Sequence, residues 1–274
     1  MKVSGSLYSS KNPVSYLERL NKSMIDYIHV DYFCGSSDNT DFIDLKDLKS
    51  KSSKPIDLHF IGKKLSVNFI NHLNQMGIEI LSVQYENLDN KDDLENLHMF
   101  EGSGGLASTI STDIDDIIKY IKFCNHALIM STTPGISGQE FNEANLLKID
   151  SFNRKFPKLK IFVDGGVNSE NVKKLRNKKI DTVVVGSYLT KQSSINIALN
   201  AIKIEYSNEI NLNHIITPRK LSPIVKYEDG LENALKVINK YKLGFAIVEK
   251  DSVFSGIITD SDIRKMLTKV LTDD

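Results

Sequence analysis

The chain has 274 residues, 35 basic and 35 acidic, a formal charge of zero and two cysteines. That length holds one large domain, or one domain plus a small one, and the balanced charge leaves no broad electrostatic footprint for nucleic acid or an anionic membrane. Cys34 and Cys124 are too few and too isolated for a disulfide framework or a Cys-based zinc site. With no signal peptide and no apolar run able to span a bilayer, the chain reads as soluble and cytoplasmic, with no membrane partner.

In chain order, Val3 to Tyr8 is a short strand candidate, and Pro13 to Lys22 has helical spacing at Val14, Leu17 and Leu20. Tyr27-Ile28-His29-Val30-Asp31 is a second strand, followed by a loop from Cys34 to Asn39. Leu45 to Lys51 is weakly helical, and Pro55 to Phe60 makes strand three. Leu65 to Met76 reads as a helix that Gly77 ends. Ile78 to Val83 is strand four, Asp92 to Phe100 a helix and Gly105 to Ser108 a short fifth strand. Ile114 to Phe123 is helical, Ala127 to Met130 is strand six, and Asn142 to Phe156 is a longer helix. Lys160 to Asp164 is strand seven, Asn168 to Lys178 helical, Asp181 to Val185 strand eight, and Ser194 to Glu205 the closing helix.

Eight strand-then-helix units in roughly 205 residues point to an α/β fold of the (β/α)8 TIM barrel type. A doubly wound sheet suits the pattern less, because no Gly-x-Gly-x-x-Gly follows the first strand. The barrel is expected over 1–206, with a polar linker at 207–213. A second, small βαββα module follows over 214–274, with a helix at Leu231 to Lys240 and a hairpin of Phe245 to Glu249 with Val253 to Ile258. It is too small to bury much core alone, which suits a docking or dimerisation piece.

The polar residues at strand ends are Ser6, His29, Asp31, His59 and Asp164. His29 and Asp31 are two apart on a strand, so both face one side. A single histidine is more often a satisfied core residue than a ligand. Four groups at equivalent strand ends favour a divalent transition metal, with zinc, iron(II) and manganese all open. The other half of the site is glycine-rich: Ser131 to Gln139 follows strand six, Gly165-Gly166 strand seven and Gly186-Ser187 strand eight. Loops after the last barrel strands are the usual phosphate cradle of this fold. The plainer alternative makes Asp164 a helix cap and the glycines ordinary turns, but it leaves their clustering on strands six to eight unexplained.

Ser6-Leu7, His29-Val30-Asp31, Asp57-Leu58-His59, Met130 with Pro134 to Phe141, Val163 to Val167 and Gly186-Ser187 resemble the ribulose-phosphate 3-epimerase family over about residues 3 to 190. The resemblance implies that His29, Asp31, His59 and Asp164 hold one divalent metal per subunit, with Asp31 and Asp164 as the two acid/base groups. It implies that Ser6, His59 and Met130 face the substrate, a phosphorylated ketose. Gly135, Ser137, Gly138, Gly165, Gly166, Gly186 and Ser187 would then take its phosphate. The chain departs from the family pattern at Phe33-Cys34-Gly35, usually Met-Asp-Gly, and at Gln84, where a histidine is common. Ser137 replaces a phosphate-loop glycine. These changes leave a second ketose phosphate open as the substrate, in surface-polysaccharide precursor synthesis.

Ile216-Thr217-Pro218, Ala234 to Ile238, Phe245 to Val248 and Gly256 to Arg264 resemble a single CBS motif. Such motifs normally pair, which implies a homo-oligomer. The resemblance implies that Thr259 and Asp262 contact a nucleotide or nucleotide-sugar; the alternative is that Thr259 only caps the last helix. A sugar-phosphate sensor signalling through this tail is the non-enzymatic reading, and the complete set of four candidate ligands speaks against it.

Overall fold

The computed structural model describes residues 1–34, 44–136, 138–203 and 216–272. The chain divides into two units, Met1–Ile210 and Asn211–Asp274. The expected loop after Cys34, the residue Ser137 and the expected linker at 207–213 lie outside the described residues.

In the first unit the strands are β1 Lys2–Ser6, β2 Tyr27–Cys34, β3 Ile56–Gly62, β4 Ile80–Gln84, β5 Ser103–Thr109, β6 His126–Met130, β7 Lys160–Asp164 and β8 Thr182–Val185. Each pairs with its sequence neighbour, and β8 pairs in parallel with β1. The closed barrel expected from the strand–helix alternation therefore forms. Its helices are α1 Pro13–Asn21, α2 Leu45–Lys51, α3 Val67–Met76, α4 Ile114–Ile117, α5 Asn145–Lys155, α6 Val172–Arg176, α7 Ser187–Thr190 and α8 Ile195–Lys203. Helix α3 shows why the sequence starts and stops it there. The Ser66 side chain accepts from the Phe69 N–H, and Gly77, at φ 65°, takes the left-handed turn that ends it.

Two expected α-helices have another form. Lys91–Met99 is a 3-10 helix, and beyond α4 the chain tightens into a second one at Ile118–Phe123. The burial pattern explains the first. Leu94, Leu97 and Phe100 are buried three residues apart. A period of three residues keeps them on one line only in the tighter helix. Strand β1 also stops earlier than expected, at Ser6, because Leu7–Ser9 turns into a short 3-10 segment that buries Leu7.

Alternate residues of each strand point into the barrel, as the two-residue period requires. On β1 to β4 the buried positions include Ser4, His29, Asp57, His59, Ser82 and Gln84. On β5 to β8 most are apolar: Ala107, Leu128, Met130, Phe162 and Val184 pack with Ile80 into one cluster. The barrel interior thus has a polar half and an apolar half. A larger apolar layer lies between the strands and the helices, with Val30, Leu58, Ile129, Val163 and Leu199 among its buried residues.

His126 is one of three polar exceptions on the apolar half, with Thr182 on β8 and Asp164 at the end of β7. The His126 ring stacks on Phe162 with centroids 4.3 Å apart, and Nε2 meets Ser82 Oγ at 2.8 Å. Gly105 leaves room for it, since a Cβ there would sit 2.3 Å from Nε2. Burial pushes the His126 pKa down from 6.5 to about 4, against the pull of Asp57. The unfolded chain therefore binds a proton near pH 6.5 that the folded barrel refuses until about pH 4. The sign follows: this stability is fully present above pH 6.5 and is lost as pH falls toward 4. The expected loss from this group is about 3 kcal/mol. Urea unfolding of the parent and of His126→Gln across that range checks it; parallel pH profiles would exclude His126 as the source.

The second unit has a three-stranded sheet in the order β11-β10-β9, from β9 Ile224–Lys226, β10 Phe245–Lys250 and β11 Val253–Thr259. Strand β10 runs antiparallel to β11 and parallel to β9. With helices α9 Leu231–Tyr241 and α10 Asp260–Thr272, the order is βαββα as expected. Its buried core is Val225, Ile238, Ala246 and Ile263.

Candidate active site

Strand β2 carries His29 and Asp31, its neighbour β3 carries His59, and β7 ends on Asp164. His59 is the register partner of Asp31. One ligand atom from each of His29, Asp31, His59 and Asp164 lies within 4.8 Å of the others. His59 Nδ1 is 3.0 Å from an Asp31 oxygen. His29 Nε2 is 3.5 Å from Asp31 and 3.6 Å from Asp164. The imidazoles are sealed in, at 1% and 0% exposure, while the side chains of Asp31 and Asp164 keep 15% and 17%. The acids reach solvent; the histidines sit beneath them.

Burial disfavours charge on His29, but Asp57, Asp31 and Asp164 around it hold its pKa well above the ordinary imidazole range. Burial would likewise raise Asp31, yet contacts with His29 and His59 pull it well below the carboxylate range. Asp164 is pushed up by burial; His29 opposes this, and the Asp31 charge adds to it. The two carboxylates are therefore driven apart, which is how one site keeps an acid and a base side by side.

The donor set suits a divalent cation. His29 Nε2 is buried without a hydrogen-bond partner. Its other nitrogen, Nδ1, meets Asp57 Oδ2 at 2.9 Å, and the same oxygen accepts from Ser4 Oγ at 2.7 Å. A carboxylate behind one ring nitrogen leaves the lone pair on the other, turned into the cluster. Two imidazoles and two carboxylates fit zinc, iron(II) or manganese.

Above the acids opens a cavity lined by Ser6, Asp31, Met130, Gly135, Gly138, Asp164, Gly165, Gly166, Gly186 and Ser187. Ten of the residues singled out in the sequence therefore share one space. His29 and His59 do not line it. His59, expected to face the substrate as well as a metal, is fully covered. Its Nε2 meets Gln84 and its Nδ1 meets Asp31. The glycines are needed for close approach: a Cβ on Gly165 would stand 2.4 Å from Thr132 Oγ1, and one on Gly166 2.3 Å from the Phe141 nitrogen. Both have positive φ, at 110° and 66°. The β6 loop is tied by Gln139, whose Nε2 donates to the carbonyls of Thr133 and Ile136.

Sequence reasoning passed over Tyr8 and Ser9, which also line the cavity, and helix α7 behind Gly186; Thr132 and Thr133, which lie in the expected loop after β6, line it as well. It gave no role to Asp57. The signal for Asp57 was present: it lies two residues before His59 on one strand and is the register partner of His29. In the second unit, Thr259 and Asp262 bond to each other. The Thr259 hydroxyl and N–H donate to the Asp262 carboxylate, and the Asp262 N–H donates back to Thr259 Oγ1. That is a reciprocal cap on α10.

The ribulose-phosphate 3 epimerase family model matches residues 3–190. Ribulose-phosphate 3-epimerase of Helicobacter pylori strain J99 is 27% identical over 213 residues, covering 74% of this chain and 97% of its own. That of Aquifex aeolicus is 27% identical over 150 residues, covering 52% of this chain and 66% of its own. Among solved structures, KGPDC of Streptococcus mutans superposes with a TM-score of 0.57 at 12% identity, covering 74% of this chain and 95% of that one. The 3-hexulose-6-phosphate synthase of Salmonella typhimurium gives a TM-score of 0.54 at 14% identity, covering 74% and 96%. These two structures share the barrel. Fold and site together define a TIM-barrel isomerase with a group able to hold a metal ion. The chain belongs to the ribulose-phosphate 3-epimerase family. Among the described residues no helix is long and apolar enough to cross a membrane.

Proposed function

We propose that the chain is a metal-dependent, cytoplasmic epimerase that inverts C3 of a ketopentose phosphate, interconverting D-ribulose 5-phosphate and D-xylulose 5-phosphate. One juxtaposition supports this reading most. Asp31 and Asp164 line the glycine-bordered cavity and also belong to the four-residue cluster. Inverting a carbon beside a ketone requires removing a proton from one face and returning one to the other. Two carboxylates do this by alternating as base and acid. In one direction one of the two takes the proton from its face while the other returns a proton from the opposite face; in reverse the roles exchange.

His29, Asp31, His59 and Asp164 would hold the ion, zinc, iron(II) or manganese. When bound, it supplies positive charge beside the substrate oxygens where negative charge develops. Ser6 would hydrogen-bond the sugar, with Met130 against its apolar side. The loops at Gly135 and Gly138, Gly165-Gly166 and Gly186-Ser187 would take the phosphate, which holds the sugar in register and lowers the entropic cost of alignment. Solvent deuterium uptake at C3 of ribulose 5-phosphate, with and without added divalent metal, tests the reading. Metal-dependent uptake is expected; none under any metal would remove this substrate.

One observation favours a second substrate with the same chemistry. The Phe33 ring lies against the phosphate loop, where a Cβ on Gly135 would be 2.3 Å from Phe33 Cζ. This rim differs from the methionine the family usually carries, so other ketose phosphates belong in the same exchange assay.

We also propose that residues 214–274 form a CBS-like pairing module. Strand β11 is an edge strand with Val253, Phe254 and Ile257 exposed, and α10 exposes Met266 and Leu267. Apolar side chains beside an open strand edge mark an interaction surface. Light scattering should report a homo-oligomer that Phe254→Glu shifts toward monomer; unchanged mass would argue against pairing through this edge. A nucleotide or nucleotide-sugar that raises the Tm of the full chain would add ligand contact to Thr259 and Asp262. No shift leaves the helix cap as their role.

A further inference from the structure

Beside the glycine-bordered cavity lies a second one, of about 490 Å³. The two border each other along Gly138, Gly166, Val167 and Ser187, which line both. Three of these four, Gly138, Gly166 and Ser187, are residues proposed above to take the phosphate. A phosphate monoester ends there, so that reading leaves the outer cavity without a use. Its walls come from the loop after β6, the turn after β7 and helix α7. Phe141 and Tyr188 pack against the main apolar layer and give it two anchored aromatic rings. The turn after β7 is held as well. The Asn168 side chain accepts from the N–H groups of Glu170 and Asn171, and Asn171 Nδ2 donates to the Gly166 carbonyl at 2.8 Å. Glu143 is taken up by Lys174. Glu140, Glu170, the Tyr188 hydroxyl and the Lys191 ammonium also line the space, and none has a hydrogen-bond or ion-pair partner among the described residues.

Two carboxylates, a phenol and an ammonium offer acceptors and donors together around one concave space. The lining charge narrows the ligand class. A second phosphate would stand beside two unpaired carboxylates with one lysine to offset them, and like charges brought together repel. A hydrocarbon group would cover four polar groups without giving them partners. A neutral, polyhydroxylated group meets both the donors and the acceptors. We propose that the outer cavity is a subsite for such a polyol, joined through the phosphate, so that the chain takes ketose phosphodiesters as well as monoesters. The phosphate then sits where the two cavities meet, with the ketose on one side and the polyol on the other. The polyol lies across the phosphate from the reacting carbon, so it changes what is bound and leaves the proton chemistry alone. The inference rests on the epimerase reading for the identity of the inner sugar; the subsite itself rests only on the cradle and the space beyond it.

The test is calorimetric binding of three probes to the full chain: glycerol 3-phosphate, its methyl phosphodiester, and glycerophosphoglycerol. The two diesters carry the same phosphate charge and differ only in the second group. Glycerophosphoglycerol should bind about 10-fold tighter than the methyl diester, the gain expected from one or two hydrogen bonds. Glu170→Gln combined with Tyr188→Phe removes a carboxylate and a hydroxyl from the outer cavity. It should erase that difference and leave the monoester unchanged. Equal affinity of the two diesters for the parent would overturn the proposal. So would a double variant that keeps the parental difference or weakens all three probes alike. Failure of all three to bind the parent would remove the cradle, and the subsite with it. The 10-fold difference without C3 exchange on ribulose 5-phosphate under any metal would instead sink the ketopentose reading and leave the subsite standing.

Discussion

Asp164→Asn should abolish epimerisation while leaving half of the proton chemistry running. Asp164 and Asp31 are both partly open to the cavity, and their pKa values are pushed in opposite directions. If each serves one face of the sugar, the asparagine variant still exchanges the C3 proton of the epimer whose C–H faces Asp31. It cannot process the other. Asp31→Asn should show the mirror pattern. Turnover in both directions should fall by about 10²- to 10⁴-fold, the usual contribution of a positioned acid or base. Both residues are also candidate metal ligands, so metal content is measured beside exchange and the ion supplied in excess. Metal-loaded variants that exchange both epimers equally would refute the two-sided assignment.

Asp57→Ala should be the most damaging change at a residue that does not line the cavity. Asp57 Oδ2 receives both Ser4 Oγ and His29 Nδ1 in a fully buried place. Burial would raise its pKa, but His29 and Ser4 hold the carboxyl below the usual range, so it is charged when folded. Removing one partner of a buried, hydrogen-bonded charge pair costs about 3–5 kcal/mol. If His29 ligates a metal as proposed, losing the group that orients it should weaken metal binding by about 10- to 100-fold. Urea unfolding of the metal-free protein and chelator competition read the two effects separately. Asp57→Asn retains an acceptor for His29 and should fall between parent and alanine variant in metal retention. An alanine variant with the parental metal affinity would show that His29 does not need this support.

The barrel was legible because alternation and helical spacing are written locally. His29-Val30-Asp31 shows its two-residue period without help from any other segment, and so do the glycines that follow β6, β7 and β8. What escaped depends on pairing. That Asp57 stands beside His29, or Gln84 behind His59, follows from register between strands far apart in sequence. A two-residue period gives the face of a side chain and not its neighbour. The 3-10 segments were missed for another reason. Leu94, Leu97 and Phe100 fit an α-helical stripe nearly as well as a three-residue one, and only packing onto β5 and α3 decides. Four-residue α7 was too short for any periodic pattern to reveal.

The two halves of the barrel interior differ in how far their side chains depend on one another. The buried polar groups on β1 to β4 are each fixed by a neighbour across the sheet: Asp57 by Ser4 and His29, and His59 by Asp31 and Gln84. Changing any one of them disturbs several others, so that half resists piecemeal alteration. The rim around Gly135, Gly165 and Gly186 belongs to the loops that follow β6, β7 and β8. At that rim Phe33 packs against Gly135. On the proposed reading, changes at the rim should alter which sugar is taken before they alter the reaction.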